Sequence, residues 1–359
     1  MKFTIEKSKI ANVISNSVSS INERNNLEIL SNIKIDCVGK DLIISSTDLD
    51  LFKTIIIKDI NILEEGSITA KARLLNDIIK KAPSDAIINF SIKDGNAIVK
   101  YGKSRFKVPT MESENYPLLS FEDELININV SCNDFFTIIN KSKISISNDE
   151  VRDYLNGLFI HIKDGKLISV STDGKRLSKS SIGTNSENFK GVIIPKKAVA
   201  EILKIINSES VSISISESKI KVESGNYLLV SKLINEDFPS YEQILPSNNK
   251  KIEINKKSFS EAIGRVSVIT DMGNNYIKFT IEDNLFKLES KSNINGVANE
   301  EIIIDYNDDK VEVYFDAKLL LEAITTIESD ILSLELSNDT KPMVIQDKNV
   351  YNLIMPIRL

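Results

Sequence analysis

Two hydrophobic periods succeed one another along the chain, and their order repeats. Phe3-Thr4-Ile5-Glu6 alternates apolar and polar positions, and the stretch from Lys7 to Ser20 then changes to helical spacing. A period of two marks a half-buried strand, and a period near 3.6 marks an amphipathic helix. The same change occurs at Ile128-Asn129-Val130, before Asn133 to Ile144. It occurs again at Ile252-Glu253-Ile254, before Lys256 to Ile269, a spacing of about 125 residues each time. A second helical stretch follows in each segment, at Thr69 to Ile79, Ile194 to Leu203 and Phe315 to Ile324, with apolar residues at i, i+3 and i+4. Alternating strands come after each: 86–92 and 97–101, 211–215 and 220–222, 331–336 and 343–345. Lys93-Asp94-Gly95-Asn96 supplies ordinary hairpin chemistry between the first pair.

Smaller landmarks shift by the same offset. Leu42 to Asp48 corresponds to Leu167 to Asp173, and Asn115-Tyr116-Pro117 to Asp237-Phe238-Pro239. The pattern predicts an α+β chain made of one unit used three times, each with two helices packed on antiparallel sheets. The pattern resets at Phe121 to Leu125 and at Pro246 to Lys251, two polar stretches that read as short linkers. The expected domains are 1–120, 126–246 and 250–359.

Length and composition agree: 359 residues exceed one compact core, and 42% hydrophobic with 27% charged residues suit a globular protein. Nothing approaches the roughly 18 consecutive apolar residues of a membrane span, and the start lacks the apolar region of a signal peptide, which points to the cytoplasm. Two cysteines, Cys37 and Cys132, make neither a disulfide framework nor a zinc site, and both sit among apolar neighbours as expected buried spectators. A net charge of −6 argues against a protein that coats DNA with an overall basic surface. The charge is unevenly spread, however. The six repeated helical segments together carry +7 and leave −13 to the rest of the chain, although the segment 316–328 stands at −2. If the repeats surround an axis, equivalent helices give a positive lining that attracts phosphates without reading bases.

Catalytic constellations are missing. The single histidine, His161, lies between Ile160 and Ile162 in an alternating run and reads as a strand residue. No phosphate-binding loop or dinucleotide fingerprint occurs, and runs such as Glu122-Asp123-Glu124 read as solvated faces rather than metal cages. A non-catalytic protein without metal or cofactor is expected. The rivals are a metal-dependent nuclease or transferase using Asp48 and Asp173, and a repeat scaffold that binds only proteins.

Four motifs occur in order: Val151-Arg152-Asp153-Tyr154-Leu155-Asn156-Gly157, Thr172-Asp173-Gly174-Lys175-Arg176-Leu177, Asp237-Phe238-Pro239-Ser240-Tyr241, and the terminal Leu353 to Leu359. With the three repeats, they make the whole chain resemble the bacterial beta sliding clamps of the replicative DNA polymerase III holoenzyme. The resemblance implies three clamp domains per subunit and a head-to-tail homodimer closed around duplex DNA, bound without sequence preference. Its implied partners are the polymerase alpha subunit, the clamp loader and other clamp-motif proteins. They would dock in a pocket lined by Leu155, Thr172, Gly174, Lys175, Arg176, Leu177, Pro239, Ile244, Leu353, Ile354, Met355, Pro356, Ile357 and Arg358. Arg24, Arg73, Arg152, Lys196 and Lys197 are the implied phosphate contacts. Leu74, Ile78 and Phe106 of one subunit would meet Val268 and Ile269 of the other. Lys175 stands where the family often has His, Gln243 where it often has Arg, and the loop Asn148 to Asp153 is acidic where a neutral residue is common.

Overall fold

A computed structural model describes residues 1–21, 27–270, 275–337 and 340–358. Arg24 and Leu359 lie outside them. Among the described residues six helices form: α1 (Lys7–Val18), α2 (Ala72–Lys80), α3 (Cys132–Ser142), α4 (Lys196–Ile205), α5 (Lys256–Val266) and α6 (Ala317–Thr325). Each starts directly after a strand. The repeat is visible in single hydrogen bonds, because the first amide of α1, α3 and α5 donates to an equivalent carbonyl: Lys7 to Ala86 (2.9 Å), Cys132 to Glu209 (3.0 Å) and Lys256 to Asp330 (2.8 Å).

The second helix of each repeat starts later than its hydrophobic spacing suggests. Thr69 to Lys71, Ile194-Pro195 and Phe315-Asp316 are strand ends, because each run has a pairing partner: Ile33 opposite Ala70, Leu158 opposite Ile194 and Ile277 opposite Phe315. A neighbouring strand satisfies backbone groups that helix propensity would otherwise claim. The corrected bounds also remove the acidic exception on the sixth helix. Asp316 is its N-cap, accepting from the Lys318 and Leu319 amides, and Glu328 lies beyond its end. That leaves Lys318 against Glu322 within α6. An acid at the cap stabilises the positive end of the helix dipole rather than lining its face.

The described chain divides into two compact units, Met1–Asn133 with Lys197–Leu233, and Asp134–Lys196 with Ile234–Leu359. The division runs through the central repeat. In the first unit a 13-stranded antiparallel sheet is continuous from the first repeat into the central one, where Leu51–Ile57 pairs with Tyr227–Lys232. In the second unit an eight-stranded sheet is continuous from the central repeat into the third, where Arg176–Gly183 pairs with Val350–Ile354, and a four-stranded sheet stands beside it. Helices cover one face of the sheets: Phe259 of α5 is fully buried among Phe279, Phe286 and Phe315, and α1 packs on a core that holds the stacked Phe3 and Phe90 rings, 4.9 Å apart.

The hairpin turn Asp94-Gly95 has both residues at positive φ (50° and 66°), the conformation a two-residue hairpin requires. The second linker is shorter than expected. Lys250 and Lys251 already belong to the strand Lys250–Asn255, and Asn248 is pinned by Nδ2 donating to the carbonyls of Glu335 (2.8 Å) and Pro342 (3.0 Å). Both cysteines are buried and free. Among the described residues no helix is long and apolar enough to cross a membrane.

Candidate functional site

The run Thr172 to Arg176 folds into a turn held almost wholly by its own side chains. Thr172 Oγ1 donates to the Arg176 carbonyl (2.6 Å) and accepts from the Gly174 amide (3.1 Å), while Asp173 Oδ1 accepts from the amides of Lys175 (2.9 Å) and Arg176 (3.0 Å). Short Thr and Asp side chains are suited to such local bonds. Gly174 sits at φ 87°, a conformation costly for residues with a Cβ, and an added Cβ would stand 3.3 Å from Arg152 Nη1. Arg176 then bridges outward, with Nε on Asp173 (3.1 Å) and Nη1 on Glu322 of α6 (2.5 Å).

The C-terminal run meets this turn. Arg176 lies opposite Ile354 and Leu177 opposite Leu353, and the Met355 amide donates to the Lys175 carbonyl (2.8 Å). Leu177 and Leu353 share a small core with Ile168, Val170 and Tyr241, onto which Phe238 and Leu245 pack. The structure therefore brings together Thr172, Gly174, Lys175, Arg176, Leu177, Leu353, Ile354 and Met355. The buried Leu155 donates its amide to the Arg152 carbonyl (3.0 Å), and the Arg152 side chain in turn approaches Gly174. The walls divide by exposure: Leu177, Leu353 and Ile354 are buried, whereas Met355 and Ile244 are 40% and 51% exposed. Pro239 and Lys175 are exposed as well. Past Pro356 the chain leaves the turn, since the Ile357 amide donates to Tyr314 (2.8 Å) and Arg358 is exposed. Ile244 and Met355 are thus partly exposed apolar side chains close to a self-supporting turn, with Arg176 as a polar group beside them.

The cationic candidates differ in their surroundings. Arg73 is exposed on the first turn of α2. Lys196 reaches Asn148 (2.8 Å) and Lys197 pairs with Asp48, both on the first turn of α4. Arg152 is gripped by Asp149 through Nε (3.0 Å) and Nη2 (2.7 Å). The guanidinium and the Val151 and Arg152 amides together hold the Asp149 carboxyl down at about 2, so this acidic loop compensates its own arginine.

Of the apolar candidates for subunit contact, Leu74 (42%) and Val268 (79%) are exposed, Ile78 is buried in the first repeat's core, and Phe106 and Ile269 are half-buried. Two strand edges lie open near them. The strand Ser104–Met111 pairs with Gly66–Lys71 only at Thr110 and Met111, and Gly296–Ile303 is the outer strand of the four-stranded sheet. The first edge carries Arg105 and Lys107 and the second carries Glu300 and Glu301.

Sequence reading missed two features. Arg152 lies against the Gly174 turn, which its place in a separate motif did not reveal. A cavity of about 520 Å³ opens beside the cleft, lined by Phe159, His161, Phe189, Phe238 and Tyr241 among others, and of the expected residues only Pro239 borders it. The aromatic spacing in Asp237 to Tyr241 was the available signal, but a helical or strand period does not register a short turn. His161 is a buried strand residue, yet it is not a bystander: its Nε2 is 3.0 Å from Tyr241 Oη, and burial pushes its pKa down.

Family models of the DNA polymerase III beta subunit match the chain end to end: the N-terminal domain over residues 1–120, the central domain over 129–240 and the C-terminal domain over 242–358. The chain is 31% identical to the beta sliding clamp of Caulobacter vibrioides over 381 residues, covering all of both chains. Among solved structures it is similar to a Pseudomonas aeruginosa sliding clamp bound to griselimycin, with TM-score 0.96, 26% identity and full coverage of both. A Bartonella birtlesii clamp bound to the same compound gives 0.95 and 29%, again over the whole of each chain.

Proposed function

The chain belongs to the bacterial DNA polymerase III beta-subunit family, the beta sliding clamps, and from that premise we propose that two copies close head to tail around duplex DNA in the cytoplasm and hold partner peptides in the Thr172–Arg176 cleft. Members are DNA sliding clamps, non-catalytic processivity factors of replication whose ring is characteristic of the family. The mechanism is topological: a closed ring keeps the polymerase near the primer end by linkage, so weak phosphate contacts are sufficient and permit sliding.

The open, oppositely charged strand edges support the closure. Gly296–Ile303 of one subunit continues the sheet at the free part of Ser104–Met111 of the other, setting Glu300 and Glu301 near Arg105 and Lys107, with Phe106, Leu74 and Ile78 against Val268 and Ile269. Such a contact is heterologous and closes only after a fixed number of subunits. Domains 1–120, 126–246 and 250–359 then give six per ring. Helix surfaces bearing Arg73, Lys196 and Lys197, with Arg152 and Arg24, meet the phosphates.

The observation that carries the partner site is the pairing of Leu353 and Ile354 with Leu177 and Arg176, which leaves Met355 and Ile244 exposed beside a rigid turn. Leu155, Thr172, Gly174, Lys175, Pro239 and Pro356 complete it, and the polymerase alpha subunit, the clamp loader and other clamp-motif proteins use it in turn. Removing residues 355–359 spares the buried Ile354 and is expected to weaken a labelled polymerase clamp-binding peptide at least tenfold, while sedimentation still shows a dimer. Affinity retained within about threefold, roughly 0.6 kcal/mol, overturns the assignment. For the ring, protein loaded on nicked circular plasmid is expected to stay on the circle and to leave once the plasmid is linearised. Equal release from both forms overturns closure.

A further inference from the structure

The 520 Å³ cavity beside the cleft is a built feature with its own chemistry. Its floor is the Phe159 ring, stacked parallel on Phe238 (4.7 Å between centroids, 2° between planes). That ring lies over bare backbone: Gly191 sits at φ 107°, and a Cβ there would come within 2.6 Å of the Ile160 carbonyl and of two Phe159 ring carbons. Only glycine leaves Phe159 this position. Phe159, Phe189 and Phe238 are each only partly buried, so three aromatic faces border one opening.

The charge around it is unlike that of the whole chain. The lining carries Lys163 and Lys190 against the single acid Glu242, a local excess of one positive charge in a chain of net −6, and Lys179 lies close by over the Tyr241 ring. Glu242 is fully engaged by Lys163 (2.7 and 2.8 Å). Among the described residues Lys179 forms no ion pair, although the Glu242 charge still acts on it. It lies half-buried over the rings of Tyr241 (6.0 Å) and Tyr351 (5.5 Å), and burial lowers its pKa. Lys190 and the side chains of Ser240 and Gln243 make no hydrogen bond or ion pair among the described residues. An unpaired lysine at the rim and a second close by, beside partly open aromatic faces, suit a ring flanked by carboxylates: the ring stacks on phenylalanine, and the carboxylates face Lys190 and Lys179.

We propose that this cavity is a second peptide site, separate from the Thr172–Arg176 cleft, which takes an aromatic side chain flanked by acidic residues. The chain's single histidine, His161, lines it, so one imidazole resonance reports its occupancy without assignment. In the full-length protein labelled at histidine, Ac-Glu-Phe-Glu-NH2 is expected to shift that resonance saturably in the micromolar to millimolar range. Ac-Lys-Phe-Lys-NH2 and Ac-Glu-Ala-Glu-NH2 bind at least tenfold more weakly. The double variant Lys179→Gln/Lys190→Gln loses about tenfold for the acidic peptide while its thermal unfolding matches that of the unchanged protein, showing an intact fold. Saturating polymerase clamp-binding peptide leaves the titration unchanged. The proposal is overturned by any of four results: no saturable shift, an equal response to the basic peptide, displacement by the polymerase peptide, or the same shift from a short DNA duplex.

Discussion

Around Thr47-Asp48 and around Thr172-Asp173 the chain builds the same turn, then sends a strand to pair with the last strand of the following repeat. Thr47 Oγ1 donates to the Leu51 carbonyl (2.8 Å) as Thr172 Oγ1 does to Arg176 (2.6 Å), and Leu49 takes φ 81° where Gly174 takes 87°. Phe52 lies opposite Val230 as Leu177 lies opposite Leu353. What covers these equivalent pairs differs. Phe52 and Val230 are sealed with Tyr116 under Leu119 and Phe121, the start of the first linker. Beside Leu177 and Leu353, Ile244 and Met355 stay exposed and the aromatic cavity stays open. Beneath the first pair lies a buried charge: Lys53, with no exposed side-chain surface, is held by Glu201 of α4 and by the Asn16 carbonyl (2.9 Å). The position equivalent to Lys53 is Ser178, which donates to Asn352 Oδ1 (2.7 Å). The acid equivalent to Glu201 is Glu322, at the surface with Arg176. A repeat thus duplicates a scaffold, and a few side chains decide which copy is plugged and which is left to receive a partner.

The largest effect is expected at the sealed copy. Glu201→Gln leaves the Lys53 ammonium buried without a counter-charge, at a cost of about 3–5 kcal/mol in denaturant unfolding, while the double variant Lys53→Met/Glu201→Leu recovers most of it. A loss below about 1 kcal/mol would show that water reaches Lys53 and would erase the contrast between the copies. Acid sharpens the same test. Burial pushes the Glu201 carboxyl up, but Lys53, Lys204 and Ser19 outweigh it and hold the group below its ordinary 4.5. The folded state therefore binds fewer protons than the unfolded one in that window. The stability is present above the ordinary value and lost as pH falls through the folded value. Amide exchange in Leu51–Ile57 should accelerate on acidification relative to Val350–Ile354, whose junction bonds Ser178, Asn352 and Thr326 do not titrate.

A smaller effect is expected from Asn352→Ala. It strips Ser178 and Thr326 of a buried partner and costs about 1–3 kcal/mol by the same unfolding assay. Smallest is Glu322→Gln, which removes a partly exposed partner of Arg176 and should change stability by less than about 1 kcal/mol. A larger loss there would mean that the open copy depends on charge as the sealed one does.

Much of the candidate site was legible because it lies on repeat landmarks. Thr172-Asp173 was visible as the echo of Thr47-Asp48, and the family motifs named most of the cleft residues. Helix starts were misread by two or three residues, because Thr69 to Lys71 and Phe315-Asp316 carry spacing that fits a helix until a partner strand claims them. The first linker read as acidic and weakly patterned, yet Phe121 serves as part of the plug. One aromatic residue in a polar run has no period by which to be noticed.

The sequence by itself determined what depends on near neighbours: the threefold order of strands and helices, the hairpin at Asp94-Gly95, and the self-bonded Thr-Asp turns, whose donors and acceptors lie within four residues. Tertiary structure decided what joins distant segments. Ser178 meets Asn352 across 174 residues and Lys53 meets Glu201 across 148. Such pairs leave no local signature, because the entropy of closing so long a loop is repaid by the whole buried sheet rather than by the pair. Which turn is sealed and which is open is therefore settled only when the sheets pair.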